Sequence, residues 1–226
     1  MQTMFHVMLG AALLAAMTQA RAQDDPTVYV VSYIEVVPAQ KNQGAALLRQ
    51  LAGATRSDQG GVRFEVLERT APSHHFMILE IWKDQQSLDA HTAAAHTKEF
   101  RDKLKSILMA PVDDRFCLTT FVARLPPPNG KGVTYVVSHV DVPPASREKI
   151  LDPLRTLAET SRKDNGNLRF DVVQQKNRNN HFTVVEVWKD HKASDAHELA
   201  AHTRDFRAVL VPLTGALYDQ RWYTPL

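Results

Sequence analysis

Residues 75–100 read HFMILEIWKDQQSLDAHTAAAHTKEF, and residues 181–206 read HFTVVEVWKDHKASDAHELAAHTRDF. The two stretches stand 106 positions apart. Extending the alignment at that shift carries it without a gap from Tyr29/Tyr135 to Thr120/Leu226, with 36 of 92 positions identical. Chance identity would be several-fold lower, so the chain is one unit written twice. Between the halves, Leu125-Pro-Pro-Pro-Asn-Gly-Lys-Gly132 reads as a linker over 123–132 that is stiff, then flexible. The expected organisation is a first domain at 27–122 and a second at 133–226.

Within a half, Thr27–Val37 alternates and is rich in β-branched and aromatic residues, which predicts a strand ended by Pro38. Gln40–Arg56 places Leu47, Leu48, Leu51 and Ala54 at helical spacing. Gly60-Gly61, and Gly166-Asn167 in the second half, predict a turn. Strands follow at Val62–Arg69 and His75–Trp82, joined by a hairpin at Ala71–Ser73 (Asn177–Asn180). Gln85–Ile107 reads as one or two helices, and Asp113–Phe121 as a last strand. The order β-α-β-β-α-β is a ferredoxin-like α+β unit. The third strand of the second half sets Phe182, Val184, Glu186 and Trp188 on one side and His181, Thr183, Val185 and Val187 on the other. Both sides are largely apolar, so both must be covered. Helices cover one. The sheet of the other half is the expected cover for the second, closing a pseudo-dimeric α+β barrel within one chain. Such an arrangement usually forms between two chains, and a self-contained monomer is expected here.

The N-terminus reads differently. Val7–Met17 (VMLGAALLAAM) is apolar for 11 residues, short of the ~20 a membrane span needs. Ala20-Arg21-Ala22 and polar Gln23-Asp24-Asp25 follow. The pattern predicts a secretory leader over 1–22, cleaved near Ala22-Gln23, and a periplasmic or secreted mature chain without a membrane span. A net charge of +2 gives no basic excess to suggest a nucleic-acid partner. The lone cysteine, Cys117, cannot form an internal disulfide; Tyr223 stands at its counterpart, so it reads as a packing residue.

The motifs E-x-W (Glu80, Trp82; Glu186, Trp188), A-H (His91; His197) and H-x-x-x-F (His96; His202), with LYDQRWY near the end of the second half, resemble the antibiotic biosynthesis monooxygenase family, which includes small quinol monooxygenases. The resemblance implies a dimeric α+β barrel. It also implies oxidation of a small quinol or phenol by O2 without metal, flavin or haem, in a pocket between sheet and helices. The haem-degrading branch carries an axial histidine where Arg101 and Arg207 stand, and an asparagine near Ser32 and Ser138. Both departures argue against haem, so no cofactor is expected.

Histidine suits the proton step because its pKa lies near neutrality, so His91, His96, His197 and His202 are the catalytic candidates. Five residues on one helix amount to about 140° of net rotation. The two histidines of a pair would then not share a face, which argues against a metal. The alternative is structural: one histidine bonds a helix end and the other is partly exposed. Trp82, Trp188, Glu80, Glu186, Phe64 and Phe170 are the expected substrate-binding residues. The competing reading makes the aromatics core and pairs each glutamate with an arginine such as Arg63 or Arg169. His75 and His181 read as strand-edge residues. The second half matches the family motif better and is the expected working site if only one works. Three functions stay open: a monooxygenase, a non-catalytic exported binding module for a small aromatic ligand, and a structural or assembly role.

Overall fold

The computed structural model describes residues 26–123, 132–216 and 218–226. The expected leader and nearly all of the expected linker lie outside the described residues. Each half runs strand, helix, two strands, two helices, strand. In the first half these are β1 (Val28–Glu35), α1 (Lys41–Thr55), β2 (Gly61–Arg69), β3 (His75–Trp82), α2 (Gln85–Ala93), α3 (Ala95–Lys105) and β4 (Asp113–Phe121). In the second they are β5 (Thr134–Asp141), α4 (Arg147–Ser161), β6 (Asn167–Gln175), β7 (His181–Trp188), α5 (His191–Glu198), α6 (Ala201–Leu210) and β8 (Asp219–Pro225). A 3-10 turn opened by proline, at Pro38–Gln40 and Pro144–Ser146, leads into the first helix of each half.

The eight strands close one barrel in the order β1-β3-β2-β8-β5-β7-β6-β4. The last strand of each half makes the closure. β8 pairs with β5 of its own half and with β2 of the other, and β4 pairs likewise with β1 and β6. The halves are thus joined through backbone hydrogen bonds as well as through side chains, and no sheet edge is left open.

Strand alternation decides what fills each side. Val31, Leu79, Val137, Val185, Val187, Cys117 and Tyr223 point inward and form the barrel core. Ile78, Phe76, Val184 and Phe182 point outward and pack against Leu48, Phe100, Leu154 and Phe206 of the helices. Burial pushes the Cys117 thiol up to about 12, which fits a packing residue and leaves almost no thiolate at neutral pH. Within the barrel, Arg169 donates to Glu65 at 2.8 Å and Tyr135 donates to Glu65 at 2.9 Å. Tyr29 donates to Asp171 at 3.3 Å. Arg63 sits 3.7 Å from Glu65.

Candidate functional site

The outward face of β3 ends in Glu80 and Trp82, and the chain turns at once into α2. Asp84 caps that helix by accepting from the Ser87 N–H at 2.8 Å; Asp190 does the same for Ala193 in α5. The tight turn places the last turn of α2 directly over Trp82. His91 stacks on the Trp82 indole with 4.7 Å between ring centroids, and His197 on Trp188 at the same distance. Phe64 and Phe170, on the same face of β2 and β6, flank these histidines at 5.6 and 5.7 Å.

One continuous helix over 85–107, the basis for separating the two histidines, does not form. Ala94 takes extended backbone (φ −61°, ψ 148°), α2 ends, and α3 begins at the next residue; Ala200 does the same in the second half. The break turns His96 back toward His91. Asp58, in the turn after α1, accepts from His91 Nδ1 at 2.6 Å and from His96 Nε2 at 3.0 Å through the same oxygen. Asp164 repeats this with His197 at 2.8 Å and His202 at 3.1 Å. The angular argument against a metal therefore fails. The donor atoms of each trio lie within 4.8 Å of one another, close enough to ligate a cation, and at the distances seen they form a carboxylate-bridged histidine pair.

Gly60 and Gly166 make these turns possible. Their φ values are 81° and 92°, and a Cβ on Gly60 would lie 2.1 Å from Ser87 Oγ. Asp58 and Asp164 were not singled out from sequence. Their identity at the 106-residue shift, two positions before a glycine that needs positive φ, is the signal that could have found them.

Among the described residues the glutamates form no ion pair with an arginine, though Arg101 and Arg207 act on them from farther away. Arg63 and Arg169 occupy the odd positions of their strands and point into the barrel, while Phe64 and Phe170 point out toward the helices. The pairing of Glu80 or Glu186 with either arginine is thus ruled out by strand alternation. Among the described residues no lysine or arginine lies within ion-pair distance of Glu80 or Glu186. Glu80 accepts from the Trp82 indole N–H at 2.8 Å, and Glu186 from Trp188 at 2.9 Å. His91 Nε2 stands 3.8 Å from Glu80, and His197 Nε2 stands 3.7 Å from Glu186. Burial disfavours the charged form and pushes Glu80 up to about 7 and Glu186 up to about 8, against the restraint of the indole donors. Burial lowers His91 and His197, and their aspartates partly oppose it.

With Nδ1–H committed to Asp58, a neutral His91 presents the Nε2 lone pair toward Glu80 and toward Thr97 Oγ1, 3.4 Å away. Carboxyl, imidazole and carboxylate then form a line along which a proton can pass once a small shift or a bridging water closes the 3.8 Å step. Glu80 and His91 also wall a small cavity with Ser32, Arg101, Val112 and Asp114. His96 and His202 are more exposed and meet the buried histidines at the shared aspartate oxygen. His75 and His181 lie at the strand edge, paired with Glu35 at 3.6 Å and Asp141 at 2.7 Å.

Known proteins share this arrangement of elements. The chain is 28% identical over 86 residues to YcnE of Bacillus subtilis (strain 168), a protein provisionally named as a monooxygenase; the match covers 38% of this chain and 90% of that one. A solved structure from Fusobacterium nucleatum, also provisionally named as a monooxygenase, superposes with a TM-score of 0.82 at 16% identity, over 90% of this chain and 94% of the other. The structure of an anthrone oxidase-like protein superposes with a TM-score of 0.69 at 12% identity, over 90% and 92%. At such identities these two likenesses speak for the fold. The model of the antibiotic biosynthesis monooxygenase family matches residues 27–103 and again 134–209, more than half of the sequence. The chain belongs to the antibiotic biosynthesis monooxygenase family, in two tandem copies.

Proposed function

We propose that the protein is a monooxygenase that oxidises a small quinol or phenol with O2, a buried glutamate taking the proton from the substrate hydroxyl. The observation that carries this reading is a buried carboxyl on the same strand face as a tryptophan, bonded to its indole N–H and backed by an oriented imidazole, where burial pushes Glu80 up to about 7 and Glu186 up to about 8. A general base does its best work when its pKa lies near the working pH. Loss of the hydroxyl proton to Glu80 leaves an electron-rich ring anion that reduces O2 itself. A ring carbon bonds to one oxygen atom, the O–O bond breaks, and the second oxygen leaves as water with two hydrogens from the substrate. A quinol and O2 thus give a hydroxyquinone and water, balanced without an outside reductant.

Trp82, Phe64 and their counterparts supply the apolar wall that an aromatic ring needs. His91 and His197 hold or pass on the proton; Asp58 and Asp164 position them. Export of the chain through its N-terminal leader belongs to the same proposal. The test is oxygen uptake by purified mature protein with 1,4-naphthoquinol and a panel of simple quinols and phenols. Uptake above autoxidation, with one atom of 18O from 18O2 in the product, is expected. No uptake above autoxidation across the panel refutes monooxygenation and leaves binding of a small aromatic molecule as the alternative.

A further inference from the structure

The two halves are furnished differently beside their glutamates. In the first half Ser32, Val112, Arg101 and Asp114 bound a cavity of about 20 Å3 next to Glu80 and His91. A shift of 106 residues carries Val112 onto Tyr218. The Tyr218 ring packs against the helix-side core of the second half, with the Arg207 guanidinium 5.4 Å from its centroid. Its hydroxyl feels the charge of Glu186, the counterpart of Glu80, and lies near Ser138, the counterpart of Ser32, whose own oxygen makes no hydrogen bond among the described residues. An aromatic hydroxyl therefore already stands beside the serine and the glutamate of the second site.

A charge exchange accompanies the ring. In the first half Ser32 donates to Asp114 at 2.5 Å, and Arg101 donates to Asp114 at 3.3 Å. In the second half Gln220 replaces Asp114, Glu198 replaces Thr92, and Arg207 pairs with Glu198 instead. Each arginine keeps one carboxylate, but the carboxylate has moved from the last strand to the helix. The strand side of the second site is then clear of the acid, and Tyr218 occupies it.

Resting on the reading of these sites as pockets for an aromatic hydroxyl, we propose that Tyr218 is a built-in occupant of the second site, and that the first site binds a free phenol or quinol ring in the matching place. The ligand hydroxyl meets Ser32 and faces Glu80, and the ring lies under Arg101. A cavity of about 20 Å3 holds little more than one water, so an entering ring must displace Arg101. That side chain is 47% exposed and held by one long hydrogen bond to Asp114. Asp114 also borders an open groove of about 460 Å3 floored by Phe116 and Leu118, which gives an aromatic molecule a way in. The work thus falls to the first half, against the expectation from motif match.

The test counts sites by 19F NMR titration of the full mature chain with 4-fluorophenol. The wild type is expected to bind one equivalent. Val112→Phe, which places a ring in the first cavity, should weaken that binding at least tenfold. Tyr218→Val should raise the count to two, whereas Tyr218→Phe, which keeps the ring, should leave it at one. The double variant Val112→Phe/Tyr218→Val should bind one equivalent. A circular-dichroism melt on each variant selects those that fold, and Tyr218→Phe and Val112→Phe carry the test if Tyr218→Val does not. Two equivalent sites in the wild type, no binding at all, or full binding by Val112→Phe overturns the proposal. One bound phenol that is never turned over upholds it while refuting monooxygenation, so the two readings fail separately.

Discussion

Replacing Glu80 with glutamine should stabilise the protein in alkaline buffer and leave it nearly unchanged in acid. The glutamate is 6% exposed, and burial raises its pKa from an ordinary 4.5 to about 7 in the folded chain. In a folded protein with a raised carboxyl, the native state holds the proton where the unfolded state has lost it. Stability from this group is therefore complete below pH 4.5, falls as pH rises between 4.5 and 7, and stays low above. At ~1.4 kcal/mol per pH unit the loss by pH 8 is about 3–3.5 kcal/mol. Glutamine is neutral throughout, and its carbonyl can still accept from the Trp82 indole. His91 titrates nearby, but it is present in both proteins and largely cancels in the difference. Urea unfolding at pH 5, 6, 7 and 8 should show a variant-minus-wild-type difference that grows by about 2.5 kcal/mol from pH 5 to pH 8. A difference that does not change with pH would refute the claim that Glu80 is held protonated by burial.

Three further outcomes follow from the same geometry. Trp82→Phe removes the indole donor that restrains Glu80, so its pKa should rise and the acid limb of the oxygen-uptake profile should move to higher pH. An unmoved limb would show that the hydrogen bond does not tune the carboxyl. Asp58→Asn removes the charge that both histidines share; a loss of about 1–3 kcal/mol in a thermal melt is expected, with kcat falling more than KM rises. Gly60→Ala forces a Cβ into positive φ against Ser87 and should cost about 1–3 kcal/mol, whereas Gly53→Ala, where an added Cβ meets nothing within 4 Å, should not destabilise.

The strands were legible because alternation is a local property. His75–Trp82 and Asp113–Phe121 were read to the residue, and the apolar nature of both faces of β7 called for a closed barrel. The helix break was not legible. Ala93-Ala94-Ala95 favours helix by propensity, and nothing local marks the one residue at ψ 148° that turns His96 back. Asp58 escaped for a different reason: it lies 33 positions before His91, and a shared hydrogen-bond acceptor leaves no periodic trace. The misplacement of Arg63 and Arg169 beside the glutamates was avoidable. Their odd positions on β2 and β6, opposite in parity to Phe64 and Phe170, already put them inside the barrel. The divergence of the two sites was written at positions 112 and 218, but only the fold shows that these positions face the glutamates.

The central claim is that burial holds Glu80 and Glu186, on the helix side of the sheet, near neutrality, where Glu80 can take a proton from an aromatic hydroxyl. Carbon-13 NMR of the glutamate carboxyls, followed from pH 3 to pH 10 in wild type, Glu80→Gln and Glu186→Gln, tests it most directly. The account predicts a resonance near pH 7 that is absent from Glu80→Gln and one near pH 8 that is absent from Glu186→Gln, beside a further one near pH 7 from Glu65 inside the barrel that persists in both variants. Neither variant removing a resonance that titrates above pH 6 would contradict it.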